Sequence, residues 1–534
     1  MIVQKLLMNF AKKHPFLVTA NVFFMSFVPI NEVWLPDLYG KMISAISEMK
    51  DVECTLIWVL IVLLIAQVGY LLRDKLNEVF IPTFENFMRT EMVDIILDKY
   101  NSDFHTLTTG DIISKLTKIP DTLNTWFHWL NDFIIPYIFV FIVATIYFWY
   151  YDPMIAVSFI IFFIILFIVI KSAPKKCMSS SVKADTAFVL FHEKIEELIH
   201  NMTSIYSTNT KQKEIEGLKT HAKDYATEYK TTASCARQYK TIMIPITIVL
   251  IALFVLRSKV LVIAKKISKK QFTSMFVILT YIASSIFWMV DIIKFGVFDL
   301  GALSNMNITL QELPEKKRDI LPYNPPNNYI IGLSNVVFSY EGTTILQNLN
   351  IGFEKNEITA LLGAVGKGKS TILKLIMCFY IPDHGDLYFE NKWYSDLDVD
   401  DIRRRIGYVP QHPALFNSTI LYNVRYGNEH LTEQQIIKFL ESIGVDKAFS
   451  HGLYTEVGKN GMNISGGQRQ LIWCLRVLLQ NPEVLVMDEP TASMDKNTKD
   501  FMFKVLQKLM EKRTVIIVTH DPYLINFCTK KIVL

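Results

Sequence analysis

The sequence predicts a multi-domain membrane protein in which a six-helix transmembrane domain is followed by an α/β nucleotide-binding domain of the P-loop type. Three observations lead to that prediction. The 534 residues are 51% hydrophobic with a mean hydropathy of +0.26, and the apolar excess lies before about residue 304. Six stretches in that half approach the roughly 20 apolar residues that a helix needs to cross a hydrocarbon core about 30 Å thick. In the other half, GAVGKGKST at 363–371 stands between ITALLG, a buried-strand pattern, and STILKLIM, which reads as a helix.

A chain of this length exceeds one compact core. We divide it into a membrane domain, 1–304, a linker, 305–328, and a nucleotide-binding domain, 329–534. Its 55 basic and 51 acidic residues leave a net charge of +4, which gives no reason to invoke a nucleic-acid partner. The six cysteines have no C-x-x-C pair or metal-ligand spacing and read as reduced packing residues.

MIVQKLLMNFAKKHPF mixes Lys5, Lys12 and Lys13 with apolar residues and has no cleavage-site pattern, so it reads as an amphipathic elbow helix on the membrane surface rather than a removed signal peptide. The spans follow at Phe16–Pro36, Thr55–Leu72, Phe133–Tyr150, Met154–Ile170, Ile242–Leu256 (with Ala264 as the alternative end) and Phe272–Ile293. The first is interrupted by Pro29 and carries Glu32. Glu32, Asn131, Asp132, Asp291 and Lys294 are the intramembrane polar candidates, although Asp132 and Lys294 lie near span ends and read as snorkelling groups.

An even span number puts both termini on one side, and a nucleotide-binding end faces the cytosol. The long connections 73–126 and 171–240 then face it too; they hold 6 and 12 Lys/Arg residues, against Lys41 and Lys50 between spans one and two. RSKVLVIAKKISKKQF, between spans five and six, departs from this pattern with six basic residues on the outer side. Three readings stay open: tolerance, a site for an anionic lipid or substrate, and a different span count. The Asn-x-Ser/Thr matches at Asn201, Asn307, Asn417 and Asn463 fall on the inferred cytosolic side and are not read as glycosylation sites.

Beyond the polar, proline-bearing stretch after Ser304, the chain alternates β-branched runs with helical ones. Gly363, Gly366 and Gly368 permit the tight turns that aim backbone N–H groups at phosphates, with Ala364, Val365, Lys367 and Thr371 completing the loop. Lys369 should reach the β- and γ-phosphates, and Ser370 should offer its hydroxyl to Mg²⁺. In EVLVMDEPTASMD, the strand Val484–Met487 delivers Asp488 to the metal and Glu489 to the attacking water. NISGGQRQ supplies a second anion site, Ser465, Gly466, Gly467 and Gln468, before the apolar helix LIWCLRVLL. Two phosphate-binding surfaces on one domain make sense if two copies face each other.

These motifs resemble those of the ATP-binding cassette transporters, specifically exporter-type half-transporters in which six spans precede one nucleotide-binding domain. The resemblance covers nearly the whole chain and rests on the Walker A run Gly363–Thr371, the signature ISGGQ at 464–468, and the Walker B Asp488 with Glu489. It implies that Tyr340 stacks on adenine, that Gln411 senses the γ-phosphate and joins Ser370 and Asp488 around Mg²⁺, and that His520 contacts the γ-phosphate. It makes Glu489, His520 and Lys369 the catalytic set. It also implies ATP and Mg²⁺ as cofactors, a second half-transporter chain as partner (the same chain or a different one), a lipid bilayer, and an unidentified transported substrate. TEVGKNG at 455–461 and TTGDIISKL at 108–116 are similar to exporter loops, and the tips near 108–116 and 205–213 would dock near Gln411.

Departures from the family pattern are Ala364, Val365 and Lys367 in the loop, ASMD at 492–495, Ile464 in the signature, and KKIVL, beyond which relatives usually continue. The implied function is ATP-driven transport, with export as the leading direction; an importer on the same architecture, or an ATP-gated channel or regulator that hydrolyses ATP without pumping, are the alternatives.

Overall fold

A computed structural model describes residues 2–49, 52–99, 101, 122, 124, 125, 127, 128, 130–311, 324–340, 342–364, 366–491, 494 and 496–534. It divides into two compact units, Met1–Leu97 with Leu107–Pro314, and Asp98–Thr106 with Glu315–Leu534.

The first unit is helical. Helix α1, Ile2–Lys13, precedes a first membrane segment built of α2, Pro15–Met25, a π-turn, Ile30–Trp34, and α3, Leu35–Ser47. Then come α4, Glu53–Lys99; a second π-turn, Leu130–Ile134, running into α5, Ile135–Tyr151; α6, Pro153–His200; the short α7, Met202–Ser207; α8, Lys211–Ile263; and α9, Lys269–Gln311. Among the described residues, six helical segments are long and apolar enough to span a bilayer. Helices α4, α6, α8 and α9 have 47, 48, 53 and 43 residues, about twice a bilayer crossing, so much of each lies outside it.

Several expectations change here. The first span does not end at Pro36: the chain absorbs the Pro29 interruption as a π-turn carrying Asn31 and Glu32, and continues to Ser47. Helix α1 does not merely lie on lipid. Its apolar stripe, Leu6 and Phe10, is buried against Phe80, Phe84 and Phe87 of α4, with Phe10 and Phe84 edge to face at 5.1 Å. Asp132 does not snorkel, because it accepts a hydrogen bond from Arg73 of α4 at 2.9 Å and lies 3.3 Å from His128. Nor are all the cysteines reduced: Cys177 of α6 and Cys235 of α8 form a disulfide, their Cα atoms 5.9 Å apart. Their 58-residue separation leaves no spacing signature, which is why the sequence hides the pair. Glu32 accepts from Ser285 of α9 at 3.1 Å and from Asn31. The Asp291 and Lys294 side chains, and the loop 108–116, lie outside the described residues; the second expected tip, 205–213, is the turn from α7 into α8.

Small residues set the closest helix approaches. A Cβ at Gly40 would stand 2.3 Å from the Ser274 backbone, and one at Gly301 would overlap Ser181. Phe148, Phe159 and Phe254 meet edge to face in the core of α5, α6 and α8.

The second unit opens with an antiparallel sheet of β1, Ile331–Tyr340, β2, Thr343–Phe353, β4, His384–Phe389, and β5, Lys392–Trp393, in the order β2-β1-β4-β5. A parallel five-stranded sheet follows the order β6-β7-β8-β3-β9, from β6, Ile406–Val409, β7, Val484–Asp488, β8, Thr514–Val518, β3, Ile358–Leu362, and β9, Lys530–Val533. Strands β7 and β8 are buried along their whole length, which accounts for their unbroken apolar runs. The helices around them are α10, Lys369–Ile376; α11, Val399–Arg405; α12, Ile420–Arg425; α13, Glu433–Ser442; α14, Gly466–Gln480; α15, Lys496–Met510; and α16, Pro522–Phe527.

Candidate nucleotide-binding site

In a parallel sheet, ligands gather at the carboxyl ends of the strands. Four neighbouring strands deliver the sequence-predicted residues there. Strand β3 ends in the Gly363–Gly368 loop, β7 in Asp488 and Glu489, β8 leads through Thr519 to His520, and β6 leads through Pro410 to Gln411.

The loop needs its glycines. Gly366 and Gly368 take φ of 86° and 81°, values that a side chain would strain, and Gly368 immediately precedes α10. The Lys369 ammonium, buried to 8% exposure, folds back to donate to the carbonyls of Gly363 and Ala364 at 2.8 and 2.9 Å. Ser370 and Thr371 occupy the first turn of α10, Lys367 is exposed, and Val365 lies outside the described residues.

Asp488 is buried, and that burial raises its carboxyl above the usual range; the Ser370 hydroxyl, donating to it, and the nearby Lys374 and Lys369 oppose the rise, while Glu489 adds to it. Glu489 adopts φ of 46°, unusual for a residue with a side chain, and is fixed by its N–H donating to the Val518 carbonyl at 2.8 Å. Its carboxylate accepts from Gln411 Nε2 at 3.1 Å and stands 3.9 Å from His520 Nε2. Side chains from two other strand ends, Gln411 and His520, therefore converge on one acid.

Two predicted elements stand apart from that convergence. Tyr340 ends β1 half-exposed, its ring 6.4 Å from that of Tyr380. Ser465 is the exposed N-cap of α14 in a capping box, its hydroxyl accepting from the Gln468 amide and its own amide donating to Gln468 Oε1, both at 3.1 Å. Gln468 also reaches the Ala448 carbonyl; Gly466 is exposed, and Gly467 is packed against Thr498. Ser493 and Asp495, of ASMD, lie outside the described residues.

The motifs did not reveal the struts behind the site. Gln470 donates to the Pro410 carbonyl and the Trp473 ring N–H to the Tyr408 carbonyl, both at 2.8 Å, tying α14 to the strand that leads to Gln411. A glutamine immediately ahead of the apolar run LIWCLRVLL was the available signal. Asp521, after His520, is likewise held: burial raises its carboxyl, but Lys499 at 2.8 Å, the Tyr523 amide and Thr491 outweigh this and keep it below the usual range.

A six-helix membrane unit joined to a P-loop α/β unit with two acids at a strand end defines the class of ATP-hydrolysing, multi-pass membrane transporters. The ABC transporter transmembrane region matches residues 16–286 and the ABC transporter ATP-binding domain residues 346–492, so the chain belongs to the ABC transporter family. It is of the exporter type with both parts fused in one chain, and it is an ATPase whose hydrolysis is coupled to transport. An export ATP-binding/permease protein of Rickettsia typhi is 25% identical over 491 residues, covering 89% of this chain and 83% of that one. The mitochondrial iron-sulfur clusters transporter of Homo sapiens is 31% identical over 229 residues, 41% of this chain and 30% of that one. In fold, the chain is similar to a bacterial Atm1-family ABC exporter with ATP bound, with a TM-score of 0.81, 19% identity, and coverage of 98% and 93% of the two chains.

Proposed function

We propose that two copies of this chain sandwich two ATP molecules and use their hydrolysis to export a substrate by alternating access, with the nucleotide-binding domains and both termini in the cytosol. The domain limits we propose are those read from the sequence, 1–304, 305–328 and 329–534. The observation behind the dimer is that Ser465 and Gln468 bond each other and the Ala448 carbonyl rather than the residues gathered at the four strand ends. Lys369 bonds its own loop while Ser465 caps its own helix, so each half-site lacks what the other supplies. Lys369 exchanges its two carbonyl partners for phosphate oxygens, Tyr340 stacks on the base, and the partner's signature turn offers its N–H groups to the γ-phosphate.

The buried Asp488, bonded to Ser370 and disfavoured as an anion, fits Mg²⁺, with Gln411 completing the protein's donors. Mg²⁺, when bound, neutralises charge developing on the transferred phosphoryl group. Glu489 polarises the attacking water, held in place by Gln411, and His520 orients beside the γ-phosphate. ATP binding then favours an outward-open arrangement, and hydrolysis resets it. In reconstituted vesicles, Glu489→Gln should retain ATP while turnover falls by about a hundredfold or more; hydrolysis at the wild-type rate refutes the assignment.

A further inference from the structure

An apolar groove of about 470 Å³ runs between the first and third membrane segments. Pro29, Val33 and Trp34 form one wall, and Phe139, Val143 and Tyr147 of α5 the other. It extends from Ser26 to Asp37, twelve residues whose eleven rises span about 16 Å, which is half the hydrocarbon thickness and so the depth of one leaflet. One end is polar. Asp37 accepts from the Tyr147 hydroxyl at 2.6 Å and pairs with Lys41 at 2.5 Å, and its backbone carbonyl accepts from Ser274 at 3.0 Å.

That polar end is also basic. Gly40 lies against Ser274, and one turn before Ser274 stand Lys269 and Lys270, exposed at the start of α9, with exposed Lys265 and Lys266 just ahead. The one carboxylate in the groove wall, Asp37, is already matched by Lys41, so the collar presents surplus positive charge. We propose that the groove seats an acyl chain of an anionic glycerophospholipid, from the leaflet opposite the long helical extensions, with its phosphate against Lys41, Lys269 and Lys270. The groove's depth matches one leaflet, its lining is apolar, and its charge is complementary only at the level where a headgroup sits. Lys269 and Lys270, two of the six basic residues out of place for the positive-inside pattern, thereby acquire a ligand, while Arg257, another of the six, is already bonded to Asp152 at 2.7 Å.

The test uses the full chain in phosphatidylcholine vesicles doped with phosphatidylglycerol carrying a photoactivatable diazirine on its acyl chain, followed by peptide mapping. Label should concentrate on 26–37 and 139–147, and Val143→Trp, which fills the groove, should remove it. Each of Lys41→Gln and Lys270→Gln should lower the preference over a diazirine phosphatidylcholine by about fivefold. Equal labelling of the lipid-facing α4 residues Ile57 and Leu64, unchanged labelling in Val143→Trp, or equal labelling by the two lipids overturns the proposal. So does a Val143→Cys cross-link between two copies, which would assign the groove to a second chain.

Discussion

The membrane unit and the nucleotide unit hold themselves together by different means. Strands β7 and β8 and their helices bury whole runs of Val, Leu, Ile and Met, and each such side chain removed from water contributes about 1.5–3 kcal/mol. Around the membrane helices lipid is as apolar as leucine, and burial against protein gains little. There the fixed points are close approaches at glycine, Gly40 on Ser274 and Gly301 on Ser181, hydrogen-bonded pairs such as Arg73–Asp132, and one covalent link. Specificity is therefore dense and local in one half, sparse and long-range in the other.

The sharpest way to break that comparison is to cut the covalent link. Cys177→Ser opens a closure across 58 residues and should lower the stability of the membrane unit by about 2–4 kcal/mol, while leaving unfolding of the nucleotide unit in place. Thermal unfolding with and without a reductant checks it: the reductant should shift the wild type and not the variant.

Next comes Gly40→Val, which drives a side chain into the Ser274 backbone and should cost about 1–3 kcal/mol in the same unit, read as an earlier melt in detergent. The smallest effect sharpens the other side of the contrast. Asp521 has a depressed folded-state pKa, so its stabilisation is complete above the unfolded value of about 3.9 and disappears as pH falls through the lower folded value. Asp521→Asn keeps a capping side chain but deletes the pair with Lys499; it should cost about 1 kcal/mol at neutral pH and flatten the stability profile in acid.

The same division governs what could be read from the sequence. The loop at 363–371, Asp488 with Glu489, and the Ser465 turn were legible because each sits within a few residues of the strand or helix that aims it. The six spans were legible because length and hydropathy suffice. The π-turn after Pro29 was not: a proline inside an apolar run signals a break, and only contacts such as Ser285 to Glu32 convert it to a continuous helix. The Cys177–Cys235 pair and the docking of Leu6 and Phe10 on α4 were equally hidden, because they depend on which helices become neighbours. Gln470 and Trp473 were visible as residues but not as struts, since their acceptors lie 60 and 65 positions away.

Those two struts make α14 a lever with a loaded tip at each end of its first two turns. The Ser465 end of α14 is thereby tied through Gln470 and Trp473 to the backbone just before Gln411, and so to the acid that Gln411 touches. In the symmetric pair we propose, nucleotide clasped in one chamber would in this way reach the chemistry of the other.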